Sequence, residues 1–267
     1  MSQRQFKINS ERFNVLSNGG GTQSNATICL IHAGVLPKPD AIVMADTERE
    51  MPNVFEYQRK YILPLVEEMG IPFVVAKKSD FTDWDLYDKK GEPLPGFFTE
   101  RNGRKNNNDC NKKPAYCSSK WKTEVSRKFL NQHFKDEVKN GVDSWIGYTT
   151  DELRRVRTPI GKWQSRYPLI ELRLTRPDCI KYVENYGLPT PPKSACWMCP
   201  NRPNHEWLDM KRHQPDVFQQ AVQFEVELQK EHPHLWLHQK GIPLDKVDFS
   251  ANDGQLDMFC DNGFCFV

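Results

Sequence analysis

The sequence predicts an α/β fold, a parallel sheet with crossover helices, followed by an irregular, cysteine-bearing C-terminal part. Three observations lead there. A short apolar segment, a run of glycines and a helical stretch follow one another between residues 13 and 33. Ala41-Ile42-Val43-Met44-Ala45 is apolar on both faces, as a central parallel strand must be. Strand and helix patterns alternate as far as residue 76, and that alternation marks βαβ units.

Taken in order, Phe13 to Leu16 is the first strand, and it stops at Ser17-Asn18-Gly19-Gly20-Gly21. Ser24 to Ala33 reads as a helix that Gly34 can end. The second strand ends at Asp46. Pro52 suits a first helical turn, and a helix runs on to about Met69. Tyr57, Tyr61, Leu65 and Met69 form its buried stripe, and Pro64 predicts a kink. Pro72 to Ala76 gives a third strand. From Lys77 to Pro114 the periodicity is lost, and Gly91, Pro93, Pro95, Gly96 and Asn106-Asn107-Asn108 read as a long loop. Ser118 to Asn140 is predicted as one helix stopped by Gly141. Ser144 to Tyr148 reads as a strand, and Pro177 opens a helix that Gly187 ends. Pro215 opens the last clear helix, with Val217, Ala221, Phe224 and Leu228 on one side. After His232 the chain reads as irregular.

Composition removes several classes. With 267 residues, the chain is long enough for one large domain or a domain with an appendage. The 15 Phe, 8 Tyr and 7 Trp are too many for a disordered chain. A mean hydropathy of -0.71, with only strand-sized apolar runs, argues against a membrane span. Met1 to Asn9 is polar and offers no secretory h-region, so the expected compartment is the cytoplasm. The net charge of +2 names no partner. In a reducing compartment, 8 cysteines point to metal, cluster or redox chemistry, although Cys29, in an apolar run, reads as a small core residue.

Gly19-Gly20-Gly21-Thr22-Gln23-Ser24 is the first candidate site. Glycines turn tightly and bring backbone N–H groups close to an anion, and the helix that follows adds its positive end. Thr22 and Ser24 add hydroxyl donors. The competing reading is a plain glycine turn. Asp46, at the end of the second strand, is delivered to the same sheet edge, where it can hold Mg²⁺ or a hydroxyl. The alternative there is a solvated acidic helix start. Cys196-x-x-Cys199 is a chelating turn, which otherwise is only a tight turn or a redox dithiol. Arg154, Arg155 and Arg157 suit a substrate phosphate or sulfate, against the plainer reading of ion pairs with Asp151 and Glu152. Arg101, Arg104, Lys105, Lys112, Lys113, Lys120, Lys122, Arg127 and Lys128 crowd residues 101–128. They suit nucleic-acid or nucleotide phosphates, or a merely solvated face.

Together these residues amount to a resemblance. Gly19-Gly20-Gly21-Thr22-Gln23-Ser24 resembles a Ser-Gly-Gly-x-Asp-Ser loop. Asp46-Thr47-x-x-Glu50-x-Pro52 resembles an Asp-Thr-Gly-x-Glu-x-Pro element. Ile146-Gly147-x-x-x-Asp151-Glu152-x-x-Arg155, Tyr167-Pro168-Leu169-Ile170-Glu171 and Lys193-Ser194-Ala195-Cys196-Trp197-Met198-Cys199-Pro200 follow in order. The chain resembles the PAPS reductase-like family of the adenine nucleotide alpha-hydrolase, or PP-loop, group, and most of all its short bacteriophage-encoded members.

The resemblance implies a Rossmann-like core binding an adenine nucleotide (ATP, AMP or PAPS) at Gly19, Gly20, Gly21, Thr22, Gln23, Ser24 and Asp46. Residues 1–175 would form that PP-loop-like domain, and 176–267 a helical, cysteine-bearing region packed on it. The family's activities are reduction of adenylyl sulfates and ATP-dependent thiolation, in which a carbonyl oxygen is adenylated, pyrophosphate leaves and sulfur displaces AMP. Gln23 stands where the family has aspartate, which weakens the case for Mg·ATP. The tails and tandem cysteines of the known reductases are absent. The resemblance places Cys117 ahead of the basic helix, so Cys117, Cys196, Cys199 and Cys260 are the expected ligands of a 4Fe–4S cluster, with zinc as the alternative. Arg154, Arg155 and the tail Cys265 are the expected catalytic residues. tRNA or DNA would meet the basic segment 101–128, in the host cytoplasm if the chain is phage-encoded. The competing class is a catalytically silent nucleotide sensor or nucleic-acid-binding protein that keeps the fold.

Overall fold

The computed structural model describes residues 6–100, 109–158 and 160–250. Cys260, Cys265, Arg101, Arg104 and Lys105 lie outside the described residues. In chain order the elements are β1 (Phe13–Ser17), α1 (Thr22–His32), β2 (Ala41–Asp46), α2 (Pro52–Tyr57), α3 (Leu63–Met69), β3 (Phe73–Lys77), β4 (Phe98–Thr99) and β5 (Asn111–Lys112). They continue with α4 (Glu124–His133), β6 (Val142–Ile146), β7 (Trp163–Arg166), α5 (Pro168–Glu171), α6 (Arg176–Asn185), α7 (Asn204–His213), α8 (Pro215–Glu231) and β8 (Leu235–Trp236). The described residues of 1–82 and 121–195 form one compact unit, and those of 83–120 and 196–267 a second.

The first unit is the predicted α/β fold. Its sheet has the order β3-β2-β1-β6-β7, and every pairing is parallel. Period-two alternation sorts the strand residues onto two faces. Leu16, Ile42 and Trp145 join Ile28, Leu30, Ile62, Val66 and Val183 in one core, under α1, α3 and α6. Val15, Val43 and Val142 join Val125, Phe129 and Leu130 of α4 in the other. With both faces covered, β1 and β2 are apolar along most of their length, and buried Asn14 inside β1 donates its amide to the Asn9 and Arg12 carbonyls.

The predicted kink at Pro64 takes a specific form. A π-helical turn, Gln58–Ile62, separates α2 from α3. Pro64 then falls in the first turn of α3, where its missing N–H needs no partner. The helix predicted over 118–140 is broken. Ser118–Thr123 is a π-helical turn, α4 follows, and Phe134 leaves the helix at φ -125 and ψ 47. β7 and α7 carry no signal that periodicity could read.

The second unit takes in the long patternless stretch. β4 and β5 pair with β8 in an antiparallel sheet of order β5-β4-β8. Trp197, Phe97 and Phe224 pack ring on ring, as do Trp207, Phe218 and Phe249. The buried carboxylate of Glu225 accepts the N–H groups of Leu237 (2.8 Å) and Leu244 (2.7 Å), tying the segment after α8 to that helix. Burial pushes its carboxyl above the usual range, and those two N–H bonds work against the shift. Among the described residues no helix is long and apolar enough to cross a membrane.

Candidate functional site

From β1 the chain moves through β2 to β3 on one side, while β6 and β7 lie on the other. The carboxyl ends of β1 and β6 therefore flank the crevice where strand order reverses, which is where open α/β sheets bind ligands. The glycine loop leaves β1 at this point. Gly20 has φ +76, and a Cβ there would stand 2.6 Å from Val54 Cγ1 and 3.0 Å from Met44 Cε. Conformation and space both demand glycine. Gly147, just after β6, closes the crevice from the other side. A Cβ on it would lie 3.2 Å from Ser24 N and 3.3 Å from the Gln23 carbonyl carbon, so backbone packs on backbone. Gly21 caps α1 without a side-chain hydrogen bond, and the first turn holds no acidic residue. The helix thus presents its N–H groups and partial positive charge without a competing carboxylate.

The second motif meets the loop at the same edge. Asp46 Oδ1 accepts the Glu48 N–H (2.7 Å), and Glu48, at φ 58, accepts from Ser79 N (3.0 Å) and Oγ (2.8 Å). Glu50 is buried; its Oε2 accepts the Ser194 hydroxyl (2.9 Å) and lies 3.8 Å from Lys122 Nζ. Ser194 Cβ in turn stands 3.5 Å from where a Gly21 Cβ would be. Segments around residues 21, 50, 122 and 194 so converge on one edge. Arg49 and Lys78 lie over the buried Trp121 ring, at 5.4 and 5.2 Å from its centre.

Gln23, the residue in the aspartate's place, donates from Nε2 to Glu152 Oε2 (3.2 Å). Glu152 also closes a capping box with Thr149 and pairs with Arg155 Nη1 at 2.5 Å. The Arg155 guanidinium sits 4.0 Å from the centre of the Tyr148 ring, which stacks on Tyr167. Burial raises the Tyr148 phenol pKa, and Arg155 opposes that rise. Of the two expected catalytic arginines, Arg155 is therefore held in an ion pair and a cation–π contact, and Arg154 is exposed.

Among the described residues no cysteine is in a disulfide. Cys29 and Cys179 lie in the core beneath α1 and α6, where burial pushes both thiols up to about 12. Cys196 and Cys199 form a tight turn in the second unit, with Cys199 N donating to Cys196 O (3.1 Å). Buried Arg202 clamps this turn: its N–H reaches Cys199 O (3.1 Å) and its Nη2 reaches Cys196 O (3.2 Å). Cys117 and Cys110 belong to the same unit. Among the described residues no three His, Cys, Asp or Glu side chains stand together so as to hold a metal ion. Several basic residues of 101–128 have intramolecular partners: Lys113 with Glu92, Lys120 over Trp84, Arg127 over Trp163 and Lys128 with Phe81 O.

Sequence reasoning missed Asn18, Asn25 and Gln58, which lie buried behind the glycine loop. One signal was present. Asn25 directly precedes the largely apolar stretch Ala26-Thr27-Ile28-Cys29-Leu30-Ile31 of α1, a helix whose residues from Ser24 to Ile31 are all buried.

No protein-family model matches the chain, and no curated protein sequence matches it. Solved structures that it resembles include phosphoadenylyl-sulfate (PAPS) reductase from Candida auris in a phosphate complex, at 13% identity and a TM-score of 0.41, over 67% of this chain and 75% of that one. They also include the U34-tRNA thiolase NcsA from Methanococcus maripaludis with its 4Fe–4S cluster, at 13% identity and a TM-score of 0.42, over 82% of this chain and 66% of that one. Likeness of this degree carries no assignment of function, which has to come from the residues of this chain.

Proposed function

We propose that this chain is an enzyme that binds an adenine nucleotide on the Gly19–Ser24 loop and handles activated sulfur, as its resemblance to the PAPS reductase-like PP-loop family implies. The observation that carries the reading is the convergence of its separate motifs. The glycine loop, Glu50, Gly147 with Glu152, and Ser194 meet at one sheet edge. Loop and α1 N–H groups receive phosphate oxygens. Asp46 holds a ribose hydroxyl or Mg²⁺, and Arg154 and Arg155 face the anionic leaving group, with Cys265 as reactive thiol. In this reading Cys196 and Cys199 are half of an iron–sulfur or zinc site completed by Cys117 and Cys260. A tRNA or DNA acceptor belongs to the thiolation branch, on segment 101–128.

The experiment is anaerobic calorimetry with ATP, AMP and PAPS, followed by two assays on the same protein. Sulfite release from PAPS identifies reduction; pyrophosphate release from ATP with RNA or DNA present identifies thiolation. Binding of none of the three nucleotides overturns the reading. One observation favours the alternative of a silent sensor, namely that Arg155 is already committed to Glu152 and Tyr148. Nucleotide binding with neither activity selects that alternative.

A further inference from the structure

Behind the glycine loop lies a closed cluster of amide side chains. Asn18, Asn25 and Gln58 are 3%, 0% and 3% exposed. Asn18 Oδ1 accepts the Gly20 N–H (2.7 Å), and Asn18 Nδ2 donates to Gln58 Oε1 (2.7 Å). Gln58 Nε2 donates to Asn25 Oδ1 (2.9 Å) and to Gly20 O (3.4 Å), and Asn25 Nδ2 donates to Gly20 O (3.2 Å). The direction of every amide follows from one fact: the Gly20 N–H can only donate, so Asn18 must turn its oxygen to it. Its NH₂ then needs an acceptor, which sets Gln58, and Gln58 sets Asn25.

Two features show that this cluster is more than core filling. An apolar side chain would fill the space without desolvating amides, whose burial is costly unless every group is paired. Gln58 also opens the π-helical turn, Gln58–Ile62. Such turns are rare, and they recur at functional sites. The cluster grips both polar atoms of Gly20. The Gly20–Gly21 peptide is trans, so its carbonyl and its N–H point in opposite directions. A Gly20 carbonyl held inward by two amides therefore turns the Gly21 N–H away from the cluster, outward from the buried side of the loop.

We propose that Gln58 is a positioning residue for the anion-binding loop, aimed by the π-helical turn so that its amide fixes Gly20 and orients the Gly21 N–H toward a bound phosphate. The proposal rests on the nucleotide reading above and adds to it a residue outside every motif. Its test is calorimetry of ATP, inorganic pyrophosphate and adenosine against the full chain and two variants. Gln58→Met keeps length and loses both polar functions; Asn25→Ala removes one of the two donors to Gly20 O together with the acceptor of the Gln58 amide. Gln58→Met is expected to weaken ATP and pyrophosphate binding by ~10-fold or more, with adenosine binding unchanged. Asn25→Ala is expected to do the same to a smaller degree, and it carries the test if Gln58→Met fails to fold. Unchanged ATP affinity in the folded variants overturns the proposal. An equal loss for ATP and adenosine also overturns it, because the amides then only maintain the fold. A wild-type chain that binds neither ATP nor pyrophosphate overturns the nucleotide reading itself.

Discussion

The loop Gly19–Ser24 and the turn Cys196–Cys199 are both tight turns rich in chemistry, and they are built by opposite routes. The glycine loop is finished by the sheet. β1 delivers it, Gly147 after β6 packs on its helix, Ser194 approaches Gly21, and buried amides hold it from behind. The cysteine turn is fixed at its backbone by Arg202, whose N–H donates to Cys199 O and whose Nη2 donates to Cys196 O. Parallel topology completes a site made of strand-end loops automatically, because all strand ends share an edge. A ligand set gathered from distant loops has no such guarantee.

The largest effect that would sharpen this contrast is an all-or-none one. If the pair is half of a metal or cluster site, Cys196→Ser and Cys199→Ser should each lose bound metal in anaerobically purified protein, measured by metal analysis and absorbance near ~400 nm. Full metal content in the double variant would make the turn a backbone feature alone.

Next comes thiol reactivity after chelator treatment at pH 8. Cys29 and Cys179, pushed up to about 12, carry almost no thiolate at that pH. Partly exposed Cys117, Cys196 and Cys199 should alkylate ~10³-fold faster, by mass spectrometry of labelled peptides. Fast labelling of Cys179 in folded protein would contradict the core packing described here. The two groups should approach each other only at strongly alkaline pH, as the buried thiols begin to ionise.

Much of the first unit was legible because its signals are local. The largely apolar β1 and β2, the glycine run and the helix stop at Gly34 each act through their own neighbours. Pro64 announced a disturbance, but not that it would be a π-helical turn delivering Gln58. β7, Trp163-Gln164-Ser165-Arg166, was illegible because a polar strand of half-buried residues has no apolar alternation to show. The two-residue strands β4, β5 and β8 exist only through pairing across the chain. At the site, the meeting of Asp46 with the glycine loop at one edge followed from parallel strands alone. The buried amides did not, since Asn and Gln in a helix ordinarily signal its wet face. The ion pair of Arg155 with Glu152 was visible as an i, i+3 spacing, but its stacking on Tyr148 was not.

The central claim is that the glycine loop is a nucleotide phosphate site, and two neighbouring glycines test it most directly. Gly20→Ala forces a side chain into φ +76 and to 2.6 Å from Val54 Cγ1, whereas a Cβ on Gly19 meets nothing within 4 Å. Calorimetry of ATP and PAPS should give Gly19→Ala an affinity within ~3-fold of wild type and Gly20→Ala a loss of ~100-fold or more, both variants remaining folded by circular dichroism. Equal affinities for wild type and folded Gly20→Ala would contradict the account.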